Sequence, residues 1–166
     1  MEKQKKKTSA EEVRLKTAEE KVQLYTLLSV PVGLVPAPAL DLALIGAVQL
    51  KMVHSLAKVY DTPFSRSIVK GLIGALVSAA VASPTARLAT SALKLVPGLG
   101  TLSGAIAMSG TGSALTYAVG KVFVSHFEAG GTILNLNARK MKAYFQEKYR
   151  EAQEGDERIT YAGVKP

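Results

Sequence analysis

The chain has no cysteine among its 166 residues, which excludes disulfides and thiolate metal sites and leaves its redox compartment open. Histidine is nearly as scarce. His54 and His126 are the two present, too little material for a zinc or imidazole-based centre. Charge is sparse through the middle of the chain. Between Val22 and Gly120 only eight charged residues occur: Asp41, Lys51, Lys58, Asp61, Arg66, Lys70, Arg87 and Lys94. The flanks hold the rest of the 21 basic and 13 acidic residues. The first 21 residues contain Glu11, Glu12, Glu19 and Glu20 and no apolar h-region, which rules against a secretory signal peptide and predicts a cytoplasmic N-terminus. No stretch alternates with the period of a strand, so the expected fold class is all-α.

Nucleotide and catalytic motifs are missing as well. Pro97 to Gly104 (PGLGTLSG) contains a G-x-G, but a proline precedes it and no acid follows until Glu128, so it reads as an interhelical turn. Gly120-Lys121 lacks the upstream glycine and the following Ser or Thr of a phosphate-binding loop. No nucleophile–base set, metal cluster or carboxylate pair stands out, so an enzyme is not expected and neither a cofactor nor a metal is called for.

What the chain does hold is helix. Met1 to Ser9 (MEKQKKKTS) is too polar to repay its ordering and is expected to be disordered. A helix is predicted from about Ala10 to Pro31, then the connector PVGLVPAP, then a helix from Ala39 to Val59 or Tyr60. Phe64 to Ser83 reads as a third helix. Pro84 interrupts it, and Ala86 to Val96 continues to the KLVPGLG turn. Gly71 to Ala86 is sixteen uncharged residues and Leu95 to Gly120 is 26. A bilayer core needs about 20 as helix, so the second run is long enough to span and the first is borderline. Both are rich in Gly, Ala, Ser and Thr, which permit close helix contact, and Gly100 to Gly104 has the small-xxx-small spacing. The helix through VFVSHFEAGG should end at Gly130 and Gly131 with a left-handed cap. Asn137 can cap a last amphipathic helix, Ala138 to Gln153, with Met141, Tyr144, Phe145 and Tyr149 on one face. The division expected is a charged extension over 1–21, a helical membrane-associated domain over 22–153 and a disordered tail over 154–166.

Individual residues offer two readings each. Asp41 in an apolar stretch would be a proton or cation site at membrane depth, but its place just after Pro38 favours an acid facing the free N–H groups of a helix start. Lys51, His54 and Lys58 fall within about 60° of each other on a helix and form a polar stripe, for lipid headgroups, a partner or plain solvent. His126 and Glu128 could form an acid/base pair, though a structural hydrogen bond is the simpler reading. The net charge of +8 favours anionic membrane surfaces. Nucleic acid fits less well, because the cations are not interleaved with stacking aromatics.

Several phrases in order resemble the bacterial family known as domain of unknown function 697, the YcjF-like domain. They are YTLLSV (Tyr25 to Val30), P-x-P-x-x-D (Pro36 to Asp41), QLKM with Gln49, Pro63-Phe64, KLVPGLGT and GKVFVSHFEAGGT (Gly120 to Thr132). In that family the domain often follows a small GTPase domain or stands alone at the inner membrane. This chain has no GTPase motif and resembles the stand-alone form, which puts GTPase activity out of the question and leaves a GTPase partner in trans open. The expectation is therefore a non-enzymatic membrane-associated module that recruits or regulates a protein partner at the cytoplasmic membrane, with its termini in the cytoplasm. An oligomeric transport or channel element lined by Asp41, and a soluble helical bundle attached peripherally, are the alternatives. Membrane lipids, a protein partner and a second copy of the chain are the partners implied.

Overall fold

Lys, Glu, Gln and Leu are good helix formers, and no Gly or Pro interrupts the chain before Pro31. The first helix accordingly runs unbroken as α1, Glu2–Ser29. The computed structural model describes residues 2–30, 38–81 and 102–162, with side chains over 9–30, 43–78 and 111–155. Four more helices follow among the described residues: α2 Pro38–Val59, α3 Arg66–Val81, α4 Leu102–Glu128 and α5 Lys142–Ala162. Among the described residues there is no strand, so the fold is all-α.

Helix α4 is the hub. Its buried residues Leu115, Ala118, Val119, Val122, Phe123 and Phe127 meet Ala18 and Val22 of α1 and Met52, Val53 and Leu56 of α2 in one core. Helix α3 adds Val69, Ile73 and Leu76, and the connector after α4 adds Ile133 and Leu136. Two glycines let the helices approach. A Cβ on Gly120 would lie 2.8 Å from both methyls of Val22 and 3.1 Å from Sδ of Met52. A Cβ on Gly112 would lie 2.9 Å from Cδ1 of Ile45. Between these two points sits a buried polar knot. The hydroxyls of Ser29 and Thr116 are 2.9 Å apart, and Nε2 of Gln49 donates to Thr116 at 3.5 Å. Each hydroxyl also reaches a carbonyl one turn back in its own helix, Tyr25 at 2.9 Å and Gly112 at 3.0 Å. Burying such groups is tolerable because each finds partners.

Helix ends follow from local chemistry. At the end of α2, Asp61 takes φ 50° and the Thr62 N–H donates to the Ala57 carbonyl at 2.9 Å. At the end of α4, Gly130 takes φ 77° and the Gly131 N–H donates to the His126 carbonyl at 2.9 Å. Both are left-handed caps that satisfy otherwise orphaned carbonyls. The second is the cap expected from Gly130-Gly131. After Asp61 the chain doubles back, with the Phe64 ring lying 4.5 Å from that of His54, centre to centre.

Several expectations are corrected. Helix α1 starts at Glu2 rather than near Ala10, since a helix anchored by Ala18 and Val22 propagates into good helix formers at little cost. Asn137 caps the turn before α5, accepting from the N–H groups of Arg139 and Lys140, so regular helix begins at Lys142 rather than Ala138. That helix continues past Gly155 to Ala162. No helix among the described residues is long and apolar enough to cross a membrane. The described end of the Leu95–Gly120 run lies buried against α1 and α2: its small residues serve helix-to-helix contact inside the bundle. The apolar face of α5 is also used internally, with Phe145 fully buried and Met141, Tyr144 and Tyr149 packed on the core. The connector 31–37, the Pro84 break, Ala86 to Val96 and the KLVPGLG turn lie outside the described residues.

Gly120→Ala tests the α1–α2–α4 approach. Alanine favours helix by up to about 1 kcal/mol, but overpacking against a stiff, fully buried valine costs about 1–3 kcal/mol. A net destabilisation is expected in urea unfolding. Adding Val22→Ala should make the Gly120→Ala change less costly than it is alone.

Candidate functional site

The outer face of α2 is fixed by what its other faces hold. The Tyr25 hydroxyl lies 2.9 Å from that of Ser55, which sets α1 on one flank. Gln49 and Met52 face α4, and Ala43, Gly46 and Leu50 face α3. What is left points outward: Leu44, Lys51, His54 and Lys58, with Ala47 at the border of the α3 side, are all exposed. The face is apolar near the start of the helix and basic further along.

Helix α1 adds leucine to the same end of the bundle. Its inward positions are Ala18, Val22 and Ser29, with Tyr25 half-buried. Leu24, Leu27 and Leu28, spaced i, i+3 and i+4, therefore share the outward side. They are 47%, 69% and 50% exposed, and Leu44 on α2 is 46% exposed. The end is defined by Ser29 and Ile45, both beside Gly112. Large apolar side chains gathered in this way mark a contact surface more often than chance does. The segments 31–42 and 79–110, the second of which leads into α4 beside Ser29, contain only Asp41, Arg87 and Lys94 as charged residues.

The opposite end is polar. Lys121 Nζ pairs with Glu19 Oε1 at 2.6 Å, and Arg14 Nε lies 3.7 Å from Glu128 Oε1. The Arg14 guanidinium sits 5.2 Å above the Tyr60 ring. Burial, with the Glu128 carboxylate beside it, holds the Tyr60 hydroxyl proton on well above its ordinary range.

The residues singled out in the sequence thus part company. Lys51, His54 and Lys58 share the outer face of α2, where the His54 ring also lies against that of Phe64 at a tilt of 34°. Gln49 is on the inner face, 2% exposed, as part of the polar knot. Asp41 lies in the first turns of α2, and its side chain is outside the described residues. His126 and Glu128 do not meet as a pair. His126 Nε2 donates toward the Thr132 carbonyl at 3.0 Å and Asn135 Oδ1 at 2.9 Å, while Asn135 Oδ1 also accepts from the Thr132 N–H at 2.7 Å. The imidazole is the lock of the 131–136 loop. Gly131 has no room for a side chain because a Cβ there would run into the ring. What sequence reasoning missed is the outward leucine set and the facing of Arg66 and Lys70 toward α2. The i, i+3, i+4 spacing of the leucines was visible, but so was an equally good inward reading.

The lock is testable as a cycle. Gly131→Ala should destabilise by about 1–3 kcal/mol through the clash with the ring. In a His126→Ala background the same change should cost at least about 1 kcal/mol less, read from urea unfolding of the four variants.

Comparison with known proteins supplies a family without supplying a chemistry. The family described as Domain of unknown function (DUF697) matches residues 3–154. Magnetosome membrane protein 22 of Magnetospirillum gryphiswaldense is 36% identical over 135 residues, covering 81% of this chain and 69% of that protein. No solved structure matches the chain significantly.

Proposed function

The chain belongs to the DUF697 family, and from that membership we propose a non-enzymatic helical module that attaches to a bacterial membrane by the leucine-bearing end of α1 and α2. The observation that carries the reading is the outward set Leu24, Leu27, Leu28 and Leu44, left exposed toward one end of the bundle. A relative named as a membrane protein supports the same reading. Each leucine gains about 1.5–3 kcal/mol on full burial, so three or four entering the headgroup–acyl boundary suffice for firm attachment even if burial is partial. The basic residues Lys51, Lys58, Arg66 and Lys70 add attraction to anionic lipid, with Asp61 as the one acid in the described stretch from Ala43 to Ser78.

In this arrangement the membrane is the cytoplasmic one. The end around Arg14, Tyr60 and Glu128, about 20 Å along α1 from the leucines, faces the cytoplasm with the start of α1. That end is where a protein partner would be recruited or regulated. A GTPase in trans is one partner class that the family resemblance leaves open.

The test is fractionation of the full chain. Membranes from expressing cells, washed separately with high salt and with alkaline carbonate, should keep the protein through the salt wash, because apolar contact is not screened. Leu24→Ser/Leu27→Ser/Leu28→Ser removes exposed side chains and should leave folding within about 0.5 kcal/mol per site. Its membrane partition should fall roughly a hundredfold, the equivalent of one or two buried leucines. A folded triple variant that stays bound would remove the leucine end as the attachment site.

A further inference from the structure

Helices α2 and α3 leave a groove of about 280 Å³ between them that apolar insertion of the leucines does not use. Its floor is Ala43, Gly46, Ala47 and Leu50 of α2 with Ile73 of α3. Arg66 and Lys70 line it from α3, four residues apart and so on one helix face. Both are exposed, and among the described residues neither pairs with a carboxylate.

We propose that this groove seats one anionic phospholipid, its phosphate held by Arg66 and Lys70 and the first methylenes of a chain lying along Ala43, Gly46 and Ala47. The inference rests on the membrane-attachment reading and gives it a lipid preference. Arginine offers a planar fork that matches two phosphate oxygens, and lysine adds a point charge beside it. The apolar floor decides the class of occupant. A free anion would lose water on that side and gain no donor in return, whereas an amphiphile places charge on the cations and hydrocarbon on the floor. An acidic peptide would set backbone polar groups against the same floor, at the same cost. Size agrees: pockets for whole drug-sized ligands run to about 300–1,000 Å³, so this one takes a headgroup and the top of a chain, the remainder staying in the bilayer. Lys51, one turn beyond Ala47 on the outer face, adds to the positive field.

Gly46 provides a way to close the groove without disturbing the bundle. A Cβ there meets nothing within 4 Å, so Gly46→Leu projects into open space, and leucine is also the better helix former. The experiment uses the full chain and co-sedimentation with vesicles of phosphatidylcholine alone or mixed with phosphatidylglycerol. The gain in binding that phosphatidylglycerol brings is the readout. Arg66→Gln/Lys70→Gln should cut that gain about tenfold more than Lys51→Gln/Lys58→Gln, which removes the same charge outside the groove, where each cation acts through the field alone and is worth about fivefold. Gly46→Leu, with no change of charge, should cut it at least about threefold, a loss that a purely electrostatic account does not predict. Equal losses in the two glutamine pairs, or an inert Gly46→Leu, would overturn the groove. A soluble short-chain phosphatidylglycerol should remove the gain seen with mixed vesicles, and inorganic phosphate at the same concentration should not. Equal competition would replace the lipid by a free anion. Binding of the unmodified protein to phosphatidylcholine alone reports the leucine end, so its failure is separable from failure of the groove.

Discussion

The close approach of α1 and α2 to α4 at Gly112 and Gly120 is the constraint on which the rest of the structure depends. Val22 and Met52 occupy the space a side chain on Gly120 would need, and Ile45 does the same at Gly112. Once the helices are that near, only small or slender residues fit along the α1 seam, and Ala18, Val22 and Ser29 line it. The leucines of α1 are then turned away from the core by geometry. The seam that rejects them creates the exposed end that the proposed function uses.

The same approach accounts for the buried polar knot. Ser29, Thr116 and Gln49 meet where three helices converge, and each hydroxyl has a carbonyl one turn back as a second partner. Such a knot adds less to stability than leucine would, but its hydrogen bonds are directional and fix the rotation of the helices about their axes. Rotation matters here. A turn of α1 by one residue would carry the leucines away from the outer face of α2, where Leu44, Ala47 and Lys51 stand. The far end, with Lys121–Glu19 and Arg14–Glu128, holds α1 and α4 in register by charge.

Much of the helical layout was legible in the sequence, because prolines and glycines punctuate it. Pro38, Asp61 and Gly130 mark boundaries of α2 and α4 within a residue or two, since each fits a specific helix-end geometry. The inward face of α1 was not legible. Its most apolar residues, Leu24, Leu27 and Leu28, point out, and its core positions are small or polar, so hydrophobic pattern alone misassigns them. Gln49 was picked out as a candidate in sequence, but its role depends on Thr116, 67 residues away. The α2–α3 groove was hidden for the same reason: it exists because the chain folds back through Phe64 onto His54, a contact that no local pattern announces. The Leu95–Gly120 run shows the converse. Its length satisfied the requirement for a span, while its described small residues from Gly112 to Gly120, which the sequence also displayed, answered to packing against α1 and α2.

The central claim is that the leucine end of α1 enters the bilayer while other exposed apolar residues do not. The chain contains no tryptophan, so a single introduced indole reports its own surroundings. Leu27→Trp places it on the outward face of α1, and Leu134→Trp places it on a loop residue that is 74% exposed yet remote from the leucines in sequence. On addition of phosphatidylcholine vesicles, emission from the first should shift to the blue and be quenched by brominated acyl chains, and emission from the second should not change. An unchanged spectrum at position 27, or equal shifts at both positions, would contradict attachment through the α1–α2 end.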